Sequence, residues 1–252
     1  MTGGRLEGKV AIVTGAAMGL GAAIATLFAE EGAHVVLTDV ATEAGEAVAA
    51  GLARPGLFVR HDVSSPEQWD AVGRAALERF GRIDVLVNNA GVLIPGSIED
   101  ADFADWRRIQ AVNADGVFLG CQMAVRAMKA SGGGSIVNIA SVGSHSGEAY
   151  AAAYCASKGA VRSLTKSIAV HCQNQGYGIR CNSIHPGTID TPMVWNARQT
   201  MGLPPASPGA GDPRQFAYAA LYLASDEALL VNGAELLVDA ARTVTPPSPR
   251  AS

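Results

Sequence analysis

No stretch of the sequence is apolar for long enough to cross a bilayer: runs such as residues 10–13 and 35–37 are strand-sized, far short of the ~20 residues a spanning helix needs. Runs of Lys or Arg that could track a phosphate backbone are also missing, and the formal net charge is −4. Neither a membrane nor nucleic acid is therefore expected as a partner. Residues 1–9 carry no apolar segment followed by a small-residue cleavage site, which points to a cytoplasmic protein. Cysteine is scarce. Cys121, Cys155, Cys172 and Cys181 form no C-x-x-C pair and share no metal-ligand spacing with the five histidines, so buried free thiols in a reducing compartment are expected, and no metal. Charge is scarce as well: 17% of residues are charged against 48% apolar, a balance that implies large buried faces, subunit interfaces among them.

What the sequence does contain is alternation. Short β-branched runs at residues 9–14, 34–39, 57–61, 83–87, 135–140, 179–184 and 235–238 read as strands. Ala-rich segments of helical period lie between them, at 19–31, 42–53, 66–80, 104–128, 152–173 and 213–223. Such interleaving predicts an α/β protein: a single Rossmann-type, doubly wound parallel sheet of about seven strands flanked by helices. One domain over residues 1–245 is expected, followed by a flexible Pro/Ser-rich tail at 246–252. Residues 196–212 contain Pro204, Pro205, Pro208, Gly209 and Gly211 and read as a long loop, of the kind that forms lids.

The first strand runs into Thr14-Gly15-Ala16-Ala17-Met18-Gly19-Leu20-Gly21 and then into a helix. A glycine-rich turn of this kind presents a helix N-terminus whose free N–H groups and dipole favour pyrophosphate. The spacing is G-x-x-x-G-x-G rather than the common G-x-G-x-x-G, so taken alone it is a modest signal and a plain glycine-rich strand-to-helix turn stays open as the lesser reading. Asp39, closing the second strand, adds weight. It stands where a dinucleotide-binding unit places its ribose ligand, and it would repel a 2′-phosphate that neither Met18 nor Val40 could hold. NAD is thus favoured over NADP, although a strand-end Asp is often only a helix cap; here Thr42 could serve that need. Asp62 and Val63 after the third strand, and Asn89, Ala90 and Gly91 after the fourth, fall at the same carboxyl edge. The Asp62 carboxylate could meet an adenine amino group there.

Ser141 follows the fifth strand, with Tyr154 thirteen positions later and Lys158 four beyond that. Four residues is one helical turn, so the phenol and the ammonium share a face. A phenol is a poor base at neutral pH, but a neighbouring ammonium stabilises the phenolate and would lower its pKa. On spacing alone, Tyr154 could be core and Lys158 a solvated face.

Together these features resemble the classical short-chain dehydrogenase/reductase family over nearly the whole chain, from Lys9 to about Asp239. The resemblance rests on T-G-x-x-x-G-x-G at Thr14 to Gly21, N-N-A-G at Asn88 to Gly91, Asn113, Ser141, Y-x-x-x-K at Tyr154 to Lys158, and Pro186-Gly187 with Thr191. It implies that Tyr154 exchanges a proton with the substrate oxygen while Ser141 hydrogen-bonds it. Lys158 would hold the nicotinamide ribose and Asn113 would join a proton relay. Gly15, Met18, Gly19, Leu20, Gly21, Asp39, Asp62, Val63, Asn89, Ala90, Gly91, Tyr154 and Lys158 would line the cofactor, with Pro186, Gly187, Ile189 and Thr191 fixing the carboxamide. His185 reads as a packing or hydrogen-bonding residue.

The segment around 175–186 looks similar to that of bacterial hydroxysteroid and cyclic-alcohol dehydrogenases, so a bulky secondary alcohol or ketone is the expected substrate. By analogy Gly143, Ser144, Glu148, Met193 and Trp195 would line its pocket. Two other readings remain open: a carrier-linked 3-oxoacyl reductase, and a dinucleotide sensor without chemistry. The resemblance also implies a homotetramer, with the long helices 104–128 and 152–173 paired across one axis and the last strand at another. Two departures from the family stand out. Val238-Asp239-Ala240-Ala241 replaces the usual Val-Asp-Gly-Gly ending, and alanine would be strained in a turn needing positive φ. The Pro-rich segment after Thr191 lacks part of the family's helical lid.

Overall fold

The computed structural model describes residues 3–205 and 209–244. The tail at 246–252 and Pro208 therefore lie outside the described residues. Seven strands, β1 (Val10–Thr14), β2 (His34–Asp39), β3 (Leu57–Arg60), β4 (Val85–Asn88), β5 (Gly134–Ile139), β6 (Ile179–Pro186) and β7 (Glu235–Val238), alternate with helices. The helices are α1 (Gly19–Glu30), α2 (Thr42–Ala50), α3 (Pro66–Phe80), α4 (Phe103–Gln110), α5 (Gly116–Met128), α6 (Ala152–Asn174), α7 (Pro192–Thr200) and α8 (Pro213–Ala224). All strands are parallel, in the order β3-β2-β1-β4-β5-β6-β7. This is the doubly wound sheet expected from the alternation. Its order reverses between β1 and β4, which opens a crevice at the strands' carboxyl ends.

Both faces of the sheet are covered, so β1 and β4 are almost wholly apolar rather than alternating, whereas β6 also buries the polar Arg180, Asn182, Ser183 and His185. Every residue of β1, β4 and β6 is buried. On one face Ile24, Phe28, Ala217 and Leu221 from α1 and α8 pack on Val13, Val35 and Val87. On the other, Trp69, Val72, Met128 and Val161 meet Ile12, Leu86 and Ile136. Local chemistry punctuates the elements. Ser65 caps α3 by accepting from the Gln68 N–H at 3.3 Å, Pro66 opens the helix, and Gly81 ends it at φ 78°.

Two sequence expectations need correction. The stretch read as one helix over 104–128 is split by a π-helical turn at Ala111–Asp115, because an inserted residue rotates Asn113 inward to bond the Val92 backbone. The segment read as a loop from 196 onward is helical as far as Thr200, and its prolines and glycines begin only after α7. A helical lid element is therefore present, started by Pro192 at a position where its missing N–H costs nothing.

The strained ending is real. Ala240 and Ala241 adopt φ 51° and 66°, held there by Asp239, whose carboxylate accepts from the Ala241 N–H at 3.0 Å and from the Thr243 N–H at 2.9 Å. Left-handed alanine costs about 1–2 kcal/mol per residue, and glycine would return about 0.5–1 of that as lost chain entropy. Ala240→Gly with Ala241→Gly should therefore raise the unfolding free energy by about 1 kcal/mol, read as a higher urea midpoint at unchanged slope. An unchanged or lower midpoint would show the strain to be absorbed elsewhere.

Candidate active site

The turn from β1 into α1 admits only glycine at its close approaches. Gly15 lies at φ 64° with a Cβ position 2.8 Å from the Ala90 Cα, and a Cβ on Gly21 would stand 2.0 Å from the Gly15 carbonyl oxygen. Asn89 braces this turn, donating from Nδ2 to the carbonyls of Thr14 at 2.8 Å and Gly15 at 3.1 Å. The Thr14 hydroxyl in return accepts from the N–H groups of Asn89 and Ala90. Met18, the N-cap of α1, is extended and offers no side-chain cap, so the first turn of the helix, from Gly19 through buried Leu20 to Gly21, can serve an anion. Thr191 closes over it, its methyl carbon 3.2 Å from where a Gly19 Cβ would be.

Asp39 ends β2 beside this turn. Its Oδ2 accepts from the Ala17 N–H and its Oδ1 from the Ala41 N–H, both at 3.0 Å. The need at α2 is thus met by Asp39 rather than Thr42: Ala41 is the N-cap and makes no side-chain bond. Asp62 turns its Oδ1 to the Ser64 N–H and hydroxyl, and these two bonds hold its carboxyl below the usual range. Val63 is buried against Gly116, and its carbonyl accepts from the Trp69 indole at 2.9 Å. Pro186 ends β6. Gly187 passes so close to Asp239 that a Cβ would lie 3.1 Å from its Cα, and Ile189 forms a bridge to Gly211.

Ser141, Tyr154, Lys158 and Asn113 converge at the same edge. A Cβ on Gly91 would meet Asn113 Oδ1 at 3.3 Å and Lys158 Nζ at 3.5 Å, so the N-N-A-G segment joins the nucleotide turn to this group. Lys158 is buried, donates to the Ile139 carbonyl at 2.8 Å, and stands 5.7 Å from the centre of the Tyr154 ring. Burial pushes its ammonium down to about 8. Burial also pushes the Tyr154 phenol up to about 12, against a hydrogen bond from Ser141 that favours the phenolate. The expected lowering of the phenol by Lys158 is therefore not met. At that separation the ammonium gives one donor to the Ile139 carbonyl, and desolvation sets the direction of the phenol's shift. Asn113 is buried in the π turn and also donates to the Ser157 hydroxyl at 3.1 Å.

Sequence reasoning missed part of the surroundings. His145, His185 and Glu235 bring ligand-type atoms within 4.8 Å of one another, from three segments too far apart in sequence for spacing to reveal. Against the upward push of burial, Lys166 and Arg162 hold the Glu235 carboxyl down at about 2, so a divalent ion there would face two fixed cations. The expected pocket lining is only partly met. A groove of about 680 Å³ is lined by Ser97, Ile98, Glu99, Glu148, Ala152 and Cys155, whereas Ser144 turns away to His185 and Trp195 bonds Asp190 at 2.6 Å. Cys155 also departs from the expectation of buried thiols: all four are free, but this one is partly exposed.

A family model described as enoyl-(acyl carrier protein) reductase matches residues 15–241. The 3-beta-hydroxysteroid dehydrogenase of Comamonas testosteroni is 44% identical over 244 residues, covering 93% of this chain and 96% of its own. An NADP-dependent (R)-specific alcohol dehydrogenase of Lentilactobacillus kefiri is 41% identical, covering 95% and 98%. Among solved structures, levodione reductase superposes with a TM-score of 0.89 at 34% identity, over 96% of this chain and 100% of that one. Since the family model spans residues 15–241, which hold the switch-point crevice and Ser141, Tyr154 and Lys158, and relatives above 40% identity cover more than nine-tenths of the chain, the chain belongs to the short-chain dehydrogenase/reductase family.

Proposed function

We propose that this protein is an NAD(H)-dependent oxidoreductase that interconverts a secondary alcohol and a ketone, with Tyr154 as the general acid/base. The observation that carries the reading is the convergence of Ser141 and Tyr154, whose Oγ and ring carbon lie 3.5 and 4.0 Å from a single Cβ position on Gly143, with buried Lys158 beside the phenol ring, at the carboxyl edge where an uncapped helix N-terminus can serve a pyrophosphate. A bound nicotinamide supplies the hydride chemistry. Tyr154, protonated at neutral pH, hands its proton to the carbonyl oxygen in reduction, and Ser141 donates a hydrogen bond to that oxygen as charge develops on it. Lys158 offers its remaining donors to the ribose, and Asn113, through Ser157 and Val92, holds the π turn beside them.

The substrate class we favour is a bulky cyclic alcohol or hydroxysteroid, in keeping with the names of similar proteins. The groove over Ala152 and Cys155 is lined by the carboxylates Glu99 and Glu148, the latter bonded by Arg242, which suits a neutral ring system better than an acidic carrier. One catalytic domain over 1–245 suffices for this chemistry, and four free thiols suit a cytoplasmic enzyme. No helix among the described residues is long and apolar enough to cross a membrane. A homotetramer is supported by apolar side chains left exposed on two faces: Phe103 and Phe118 on α4 and α5, and Leu229, Leu230 and Leu237 around β7. Sedimentation equilibrium at micromolar concentration should give four chains, and a monomer would refute the assembly.

A panel including cyclohexanol and 3-hydroxysteroids, followed by NADH absorbance, tests the activity. Tyr154→Phe should lower turnover by about 10²–10⁴-fold while NADH still binds, and retained turnover would remove Tyr154 from the mechanism. With the phenol pushed up to about 12, alcohol oxidation, which needs the phenolate, should quicken as pH rises from neutral, while ketone reduction, which needs the phenol, does not. For cofactor choice, Asp39 ends β2 where the resemblance puts the ribose ligand and its carboxylate accepts from the Ala17 and Ala41 N–H groups, while Arg60 is its register partner on β3 and a relative 41% identical is named NADP-dependent. Asp39→Ala should erode the NAD over NADP preference by at least tenfold, about 1.4 kcal/mol. An unchanged ratio would count against the ribose assignment.

A further inference from the structure

Ser183 and His185 are two residues apart on β6 and point to the same side of the sheet, beneath the loop that carries Ser141. His185 has no exposed surface. Its Nε2 lies 2.8 Å from the Ser183 hydroxyl, and its Nδ1 lies 3.2 Å from the Ser141 carbonyl oxygen and 2.8 Å from the Ser144 hydroxyl. A carbonyl oxygen can only accept, so the contact with Ser141 puts the ring proton on Nδ1 and leaves Nε2 to accept from the Ser183 hydroxyl, which at 2.8 Å is nearer to it than to its other acceptor, the Ala234 carbonyl at 3.3 Å. Burial pushes the imidazole down to about 4, so at neutral pH the ring has one proton and one lone pair, as this arrangement requires.

Three donors thereby converge on the Ser141 carbonyl: His185 Nδ1, the Ser144 hydroxyl at 2.6 Å and the Ser144 N–H at 3.0 Å. At the other end of the same residue, the Gly143 N–H donates to the Ser141 side-chain oxygen at 3.1 Å. That bond occupies a lone pair and leaves the hydroxyl proton free to point elsewhere. His145 packs edge-on against His185, with ring centres 4.5 Å apart, and reaches Glu235 from Nε2 at 3.2 Å. The same His145 Nε2 also lies 3.1 Å from His185 Nδ1, so with the His185 proton on Nδ1 the two rings share this cluster with the Ser141 and Glu235 oxygens. Arg162 completes the frame, bonding both Glu235 and the Ser144 carbonyl.

We propose that His185 is a positioning residue for Ser141: its Nδ1–H fixes the turn over residues 141–144, so that the serine hydroxyl stays aimed at the reacting oxygen. The inference rests on Ser141 serving that oxygen, as proposed above. It assigns to the histidine of the sixth strand a part in turnover through the backbone, without contact to substrate.

His185→Leu, His185→Asn, Ser141→Ala and the double variant Ser141→Ala/His185→Leu test it, using whichever of cyclohexanol and a 3-hydroxysteroid is turned over faster. His185→Leu should lower kcat by about 10- to 100-fold with NADH affinity changed less than about 3-fold. Asn offers an amide N–H near the Nδ1 position and should restore most of the rate. The double variant should be no slower than Ser141→Ala, because a residue that acts only through Ser141 adds nothing once its hydroxyl is gone. If the two losses multiply, the inference falls and the role of Ser141 stands. Should Ser141→Ala retain the wild-type rate, the reading of Ser141 falls and takes the inference with it. Nitrogen-15 NMR of the wild-type imidazoles needs neither a folded variant nor a substrate: His185 should show the neutral Nδ1–H form at pH 7, and the Nε2–H form would overturn the proposal.

Discussion

Thr14 and Asn89 tie β1 to β4 at the point where the order of the sheet reverses. The Thr14 hydroxyl accepts from two consecutive backbone N–H groups after β4, and the Asn89 amide donates to two consecutive carbonyls after β1. Parallel strands that diverge at a switch point would otherwise leave these groups unpaired in a half-buried crevice, where each lost partner costs about 1–3 kcal/mol. Because the tie is reciprocal, the glycine turn and the N-N-A-G segment hold each other in place. Both halves of the site inherit their spacing from it.

From that tie the packing spreads in two directions. Toward the nucleotide end it draws Gly15 against Ala90 and Gly21 against Gly15, at separations that no side chain could occupy. Toward the reacting end it sets Gly91 against Asn113 and Lys158. Asn113 needs the π turn to reach that position, so a local break in helical hydrogen bonding is balanced by a buried amide with partners at Val92 and Ser157. The neighbouring Tyr154 and Lys158 are shifted apart, to about 12 and about 8, and in both cases burial is the main cause. A low-dielectric setting favours the neutral form of each, so it keeps the proton on the phenol and weakens the hold of the ammonium on its own.

Stability and strain are distributed unevenly around this frame. The central strands and the helices over them are closed and apolar. The turn after β7 is held by polar contacts at the surface: Arg242 reaches Thr188 and, at the groove, Glu148, and Asp239 holds two left-handed alanines. Segments held by few apolar contacts open at low free energy.

Much of this was legible in the residues alone. Hydrophobic alternation carried the strand and helix order, since burial on both faces demands continuous apolar strands, and β2, α3 and β7 fall at the expected residues. The glycine spacing and the Ser141, Tyr154 and Lys158 order located the two halves of the site, because local geometry places them at strand ends and on one helical turn. Proline and glycine content misled at α7, where the breakers sit beyond the helix rather than within it. Only the tertiary structure decided the rest. It set the direction in which burial shifts Tyr154, supplied the π turn that brings Asn113 inward, and assembled His145, His185, Glu235 and Arg162 from four segments. Periodicity reports which face a residue occupies, but hydrogen bonds between distant segments depend on where the sheet and its crossovers bring them together.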